Sequence, residues 1–233
     1  MQTNKIYHGD CLELIKELPD ACIDAVITDP PYHQGITHNG VKGTVEDLSI
    51  CRPFFRELLA EINRVLKPDG FLYWFTDWRG YAFYYPLIAE ILPVKNMLVW
   101  DKMHVRPCQV YSFQYELIIY VSKGAFQITK PNIIKCIGFN AGAKSYDGEK
   151  VHPTQKPTKL ISELICDCTQ EGDLILDCFA GSCTTAVSAI YNKRNFICFE
   201  MQEKYVEIGN KRVDDASKMV GIRNFEIINN KLF

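Results

Sequence analysis

The strongest constraint on this chain is an alternation. Short, nearly unbroken apolar runs at 22–28, 71–75, 97–100, 117–121, 174–176 and 196–199 have the length of strands. Among them lie segments whose apolar residues recur at helical spacing, at 11–18, 53–66, 158–168, 184–191 and 204–219. In the clearest, Phe54, Phe55, Leu58, Leu59, Ile62, Val65 and Leu66 share one face, and Lys67-Pro-Asp-Gly70 follows as a stop. Strands apolar on both faces must be covered on both sides, and crossover helices supply that cover. The pattern predicts an α/β fold: a doubly wound, mostly parallel, Rossmann-like sheet with helices on both faces. Ligands of such sheets sit outside the carboxyl ends of the strands, so the chemistry is sought where strands end.

The 233 residues suffice for one such unit, so 1–233 is expected to be a single domain carrying insertions. Two stretches interrupt the alternation. Residues 33–50 hold Gly35, Gly40 and Gly43 among polar residues and are expected to form a mobile loop. Residues 124–151, polar and lysine-rich, are expected to be a small inserted recognition segment. No window approaches eighteen apolar residues and the start carries no signal-like run, which predicts a cytoplasmic protein without membrane contact. The ten cysteines then read as reduced thiols. Cys166 and Cys168 are too close for the usual zinc spacing and the five histidines form no paired pattern, so no metal is expected.

The formal net charge of −2 argues against a nucleic-acid partner, but its distribution argues for one. From Lys123 to Lys159 seven lysines face only Asp147 and Glu149, a local excess of five positive charges that leaves seven negative on the rest.

Two strand ends carry candidate chemistry. Asp29-Pro30-Pro31-Tyr32 follows the run ending at Thr28. Two prolines fix φ and remove two amide donors, which leaves a stiff, acceptor-rich platform. An amine on an aromatic base is a poor nucleophile until acceptors hold its protons. The Asp29 carboxylate and the Pro30 carbonyl would supply two, and Tyr32 could stack on the base. The second strand end is Asp177-Cys-Phe179-Ala-Gly181-Ser182-Cys183-Thr184, a small-residue turn before an apolar helix. Such a turn lets backbone approach a ligand and suits the carboxylate of an amino-acid-like cofactor. It lacks the Gly-Lys-Ser/Thr of a phosphate-binding loop. Glu200 closes the next run about twenty residues on, where a carboxylate accepts from ribose hydroxyls.

Together these elements resemble the β group of DNA amino-methyltransferases, in which the Asp-Pro-Pro-Tyr element precedes the cofactor-binding glycine element. The resemblance covers nearly the whole chain. Tyr7-His-Gly-Asp10-Cys11-Leu-Glu-Leu is similar to the family's amino-terminal element, whose Asp contacts the cofactor's adenine. His152-Pro-Thr154-Gln-Lys156-Pro157 resembles the element that closes over the cofactor's methionine moiety, and Trp100-Asp-Lys102 and the segment around Glu116 resemble the strands preceding its recognition insertion. The resemblance implies an S-adenosyl-L-methionine cofactor held by Asp10, Cys11, Thr154, Lys156, Pro157, Asp177, Phe179, Gly181, Ser182, Cys183, Thr184 and Glu200. It implies site-specific methylation of double-stranded DNA at adenine N6, with Asp29, Pro30, Pro31 and Tyr32 catalytic and no covalent enzyme intermediate. Lys42, Lys130, Lys135, Lys144 and Lys150 are the candidate phosphate contacts, with Phe126, Phe139 and Tyr146 for base stacking. Base extrusion would need a lid, for which 33–50, with His33, His38 and Lys42, is the candidate. A second copy of the chain and a cognate restriction endonuclease are further candidate partners.

The chain departs from the family at one point, with Cys183 where Gly is usual. A Cβ and thiol there require an allowed φ and room beside the cofactor, so Cys183→Gly is expected to tighten cofactor binding. Three alternatives stay open: an N4-cytosine methyltransferase, methylation of adenine in RNA, and a degenerate DNA-binding subunit that has lost catalysis. Cytosine-C5 chemistry needs a Pro-Cys nucleophile near the cofactor elements, and Pro107-Cys108 is far from them in sequence. Glutamine methylation uses an Asn-Pro-Pro-Tyr element placed after the cofactor turn, so letter and order both disagree.

Overall fold

The computed structural model describes residues 1–31, 37–38, 41–42, 48–106, 111–125, 128–138 and 155–221. In chain order the elements are β1 (Lys5–His8), α1 (Cys11–Ile15), β2 (Ile23–Thr28), β3 (Thr37–His38), β4 (Val41–Lys42), a 3₁₀ turn (Leu48–Cys51), α2 (Arg52–Val65), β5 (Leu66–Thr76) and α3 (Trp78–Ile91). There follow β6 (Val94–Arg106), β7 (Phe113–Ser122), β8 (Ile133–Lys135), α4 (Thr158–Cys168), β9 (Leu174–Asp177), α5 (Thr184–Tyr191), β10 (Asn195–Glu200) and α6 (Glu203–Met219).

Eight strands form one sheet in the order β1-β10-β9-β2-β5-β7-β6-β8. Pairing is parallel from β1 through β5 and again between β6 and β8. β7 runs antiparallel to both of its neighbours. That reversal carries the amino end of β7 to the edge where the other strands have their carboxyl ends. The small pair β3 and β4 is antiparallel and stands apart from the main sheet.

Side chains alternate across the sheet, and β5 shows the two cores this makes. Leu72 and Trp74 join α1, α2 and α3 on one face, with Leu58, Leu59, Ile62 and Tyr84 wholly buried. Phe71, Tyr73 and Phe75 join α4, α5 and α6 on the other, with Leu160, Leu164, Ala186 and Ile190. Strands β9 and β10 are buried almost end to end, which is why they read as unbroken apolar runs.

Three details differ from the sequence reading. Lys67-Pro-Asp-Gly70, read as a helix stop, lies inside β5, where the register against β2 shifts between Ile23 and Ala25. β1 and α3 carried no clear signal. β1 is only half-buried, and α3 contains Gly80, a run of aromatics and Pro86, which lacks the amide for an i−4 bond. Among the described residues no helix is long and apolar enough to cross a membrane.

Candidate active site

The carboxyl ends of β1, β10, β9 and β2 deliver Asp10, Glu200, Asp177 and Asp29 to one edge of the sheet. Asp10 caps α1, its Oδ1 accepting from Leu12 N at 2.8 Å. Gly9 N donates to the Glu200 carbonyl at 3.0 Å, joining the ends of β1 and β10. The Glu200 carboxylate accepts from Gly181 N and Gln202 N, both at 2.8 Å, so backbone fixes both of its oxygens. Each keeps lone pairs for a ligand hydroxyl.

The turn between β9 and α5 is tight. Gly181 has φ 51° and Cys183 φ 58°, both left-handed. Its carboxylate, Asp177, is buried and fully engaged: Thr28 Oγ1 donates to Oδ1 at 2.9 Å, Phe179 N to Oδ1 at 3.1 Å and Thr185 Oγ1 to Oδ2 at 2.7 Å. Burial raises its pKa from 3.8 to about 6 against the pull of these donors. Ser182 and Thr184 hydroxyls lie 3.3 Å apart, and Phe179 lines the turn half-buried against Phe55.

Cys183 supplies a left-handed residue without a glycine, at a position where L side chains are strained. Its thiol is wholly buried in the core under α5, where a Cβ added to Gly209 of α6 would overlap it. The room that the thiol needs is therefore provided by a glycine on α6. Burial also pushes its pKa well up, as it does for Cys178 and Cys198, and Cys11 reaches about 12.

Asp29 is held differently. Its Oδ2 is 2.5 Å from Lys156 Nζ, whereas Oδ1 is buried without a hydrogen-bond partner among the described residues. Lys156 Nζ also lies 3.1 Å from Glu116 Oε2, and Glu116 Oε1 is 2.6 Å from Lys102 Nζ. Lys156 is buried and sits over the Phe75 ring at 5.2 Å. Burial raises the pKa of Asp29 and the Lys156 ammonium opposes that rise. Burial would raise Glu116 too, but the Lys156 and Lys102 ammoniums outweigh it and hold it low. For Lys156 the two carboxylates outweigh burial and keep it protonated. The next peptide is also clamped: the Tyr84 hydroxyl donates to the Pro31 carbonyl at 2.5 Å. Tyr84 is itself fixed by Phe55, Trp74 and Phe83.

The structure thus gathers Asp10, Cys11, Asp177, Phe179, Gly181, Ser182, Cys183, Thr184 and Glu200 around the ends of β1, β9 and β10, as the sequence grouped them. Pro30 is buried, Pro31 is exposed, and Pro157 is buried at the start of α4. Lys156, read as part of a cofactor closure, contacts Asp29 and Glu116. Tyr32, Lys144, Lys150 and Thr154, together with Phe126, Phe139 and Tyr146, lie outside the described residues, as does the side chain of Lys42. Among the lysines of the basic segment, Lys130 pairs with Asp167 and Glu163 of α4, and Lys123 donates to the carbonyls of Asn63 and Leu66. Lys135 and Lys159 are exposed. The charge excess is thus partly consumed inside the fold.

Sequence reasoning gave no role to Tyr84, Lys102, Thr28 or Thr185, and placed Glu116 only on a strand. The available signal was Glu116 and Lys102, each a charge at the end of an apolar run.

Residues 23–211 match the family model of DNA methylases, the N6/N4 methyltransferases. The chain is 30% identical over 250 residues to the DNA adenine methyltransferase YhdJ of Escherichia coli K12, an alignment covering 93% of this chain and 84% of that one. Among solved structures, the complex of M1.HpyAVI with S-adenosylmethionine is 25% identical at a TM-score of 0.66, covering 90% of this chain and 98% of that one. The cytosine-N4-specific PvuII DNA methyltransferase is 24% identical at a TM-score of 0.74, covering 94% and 90%, and it shares the fold. Strand order, the carboxylate-bearing strand ends and a family match across most of the sequence agree, and the chain belongs to the N6/N4 DNA methylase family.

Proposed function

We propose that this chain methylates N6 of adenine in double-stranded DNA, using S-adenosyl-L-methionine. One observation carries the reading: Asp29, at the end of β2, presents a buried carboxylate oxygen that nothing in the described structure satisfies. A buried acceptor without a donor is costly and is relieved by a ligand that brings an N–H. The exocyclic amine of adenine is such a donor.

The residues present fit the cofactor. Glu200 is oriented by two backbone amides with acceptor capacity to spare, and Asp10 stands on the adjoining strand end. The left-handed turn at Gly181 and Cys183 brings the start of α5 to the same place. When bound, S-adenosyl-L-methionine supplies an electrophilic methyl group on sulfur. Asp29 Oδ1 accepts a hydrogen bond from one N–H of the target amine, the Pro30 carbonyl accepts one from the other, Tyr32 stacks on the base, and the one proton that nitrogen sheds as it gains the methyl leaves by way of Asp29. Attack by the amine nitrogen then needs no enzyme nucleophile. The buried, fully protonated thiols of Cys178, Cys183 and Cys198 accord with direct transfer.

Adenine is favoured over cytosine by Asp at the first position of the tetrad and by the likeness to a DNA adenine methyltransferase. The test is labelled cofactor with mixed-sequence duplex DNA, then nuclease digestion and nucleoside mass analysis, for the wild type and Asp29→Ala. N6-methyladenine that disappears in the variant is the expected result. N4-methylcytosine would overturn the base assignment, and absence of product with cofactor bound would overturn the activity.

A further inference from the structure

The tetrad and the cofactor turn leave one built feature unused: the buried row of charges Lys102, Glu116, Lys156 and Asp29. Its members come from four separate places, the carboxyl half of β6, the amino end of β7, the approach to α4 and the end of β2. The side chains of Lys102, Glu116 and Lys156 are 26%, 12% and 8% exposed. Burying ions costs solvation that their attraction repays poorly, and apolar replacements of similar size are often as stable. Stability therefore does not account for the row, whereas its position does: it ends on the oxygen of Asp29 opposite the one left without a partner.

We infer that Glu116 and Lys102 are positioning residues for methyl transfer. Acting through Lys156, they tie one oxygen of Asp29 and leave the other for the target amine. This rests on the function proposed above. Lys156 fixes the plane of the Asp29 carboxylate and opposes the rise in its pKa that burial causes. Taken alone, so close an ammonium would also draw charge from the free oxygen and weaken it as an acceptor. Glu116 shares the ammonium at 3.1 Å and offsets that draw. Lys102 in turn neutralises Glu116 from the far side at 2.6 Å, so that Glu116 does not pull Lys156 from Asp29. The row as a whole carries no net charge, which lets it stay largely buried beside a target base that is itself uncharged.

The groups facing Asp29 are Lys156 from the approach to α4, Glu116 from β7, Lys102 beyond it on β6, Asp177 from β9 and the Tyr84 phenol from α3. Substitution in the row leaves the last two unchanged. The test is the carboxyl-carbon NMR titration of Asp29, assigned with Asp29→Asn, in the intact chain and in Glu116→Gln, Lys156→Met and Lys102→Met. Removing the negative neighbour lowers the Asp29 midpoint, and removing either cation raises it, Lys156→Met by the larger step. Opposite movements identify an electrostatic array, because a packing role would shift no midpoint by sign of charge. If Lys156→Met does not fold, Glu116→Gln and Lys102→Met still carry the opposed signs. In methyl transfer, Glu116→Gln lowers kcat about tenfold or more while cofactor affinity stays within about twofold. Midpoints that stay together or move the same way overturn the inference. The titration needs no turnover, so a wild type that makes no methylated DNA refutes the proposed function alone.

Discussion

Asp29 and Asp177 make a natural pair. Each stands at the carboxyl end of a parallel strand of the sheet, β2 and β9 are neighbours, and burial raises the pKa of both. Their partners differ. Asp177 accepts from two threonine hydroxyls and a backbone amide and has a donor on each oxygen. Asp29 has a lysine on one oxygen and, among the described residues, no donor on the other. A carboxylate whose donors all come from its own chain is a structural tie, here fastening β2 and α5 to the turn. One left half-satisfied at a strand end awaits a donor from outside. Upward pKa shifts therefore accompany different work, and the hydrogen-bond partners separate them.

The sharpest way to break the comparison is to exchange the effects. Asp29→Asn replaces the free acceptor, while its remaining oxygen can still accept from Lys156, so turnover should fall on the order of a thousandfold and the thermal midpoint only by the lost ion pair. A turnover assay beside a melt decides this, and a variant that unfolds instead would make Asp29 a structural residue. Asp177→Ala should show the opposite balance. It strands the Thr28 and Thr185 hydroxyls and the Phe179 amide, at a cost of roughly 3 kcal/mol read by denaturant unfolding.

Asp177 also has a pH signature. Its folded pKa of about 6 exceeds the ordinary 3.8, so the folded chain holds this proton more tightly than the unfolded one. The stability tied to the protonated carboxyl is complete below about pH 4 and is lost as pH rises through about 6. That loss is on the order of 3 kcal/mol. Melts of wild type and Asp177→Asn across this window should show the wild type losing ground to the variant as pH rises.

Smaller effects sharpen each side. On the cofactor side, Gly209→Ala drives a methyl into the Cys183 thiol and should cost about 1–3 kcal/mol. Adding Cys183→Gly should restore most of it, and a double-mutant cycle by denaturation measures the coupling. The expectation that Cys183→Gly tightens the cofactor gives way to one of little change in affinity, because the thiol is packed under α6. On the catalytic side, Tyr84→Phe keeps the ring in its aromatic cage and removes only the clamp on Pro31. A loss of about 1 kcal/mol in transition-state stabilisation, several-fold in kcat with cofactor affinity unchanged, is the expected result in steady-state kinetics.

The sequence by itself determined the sheet, because strands buried on both faces must be apolar throughout. The runs at 174–176 and 196–199 mark β9 and β10 for that reason, and the sequence places the carboxylates of Asp177 and Glu200 at their carboxyl ends. It also determined the rigidity of the tetrad, which two prolines impose locally. Helix α3 stayed hidden because Gly80 and Pro86 disfavour a helix on their own and only packing of Tyr84, Leu87 and Ile88 against β5 and its neighbours makes it form. With α3 hidden, the Tyr84 clamp was hidden too. The lysine beside Asp29 is 127 residues away along the chain, and Glu116 reaches it only because β7 runs against its neighbours. No local rule of propensity or spacing encodes such a meeting. It follows from the strand order and the reversal of one strand, which only the tertiary structure decided.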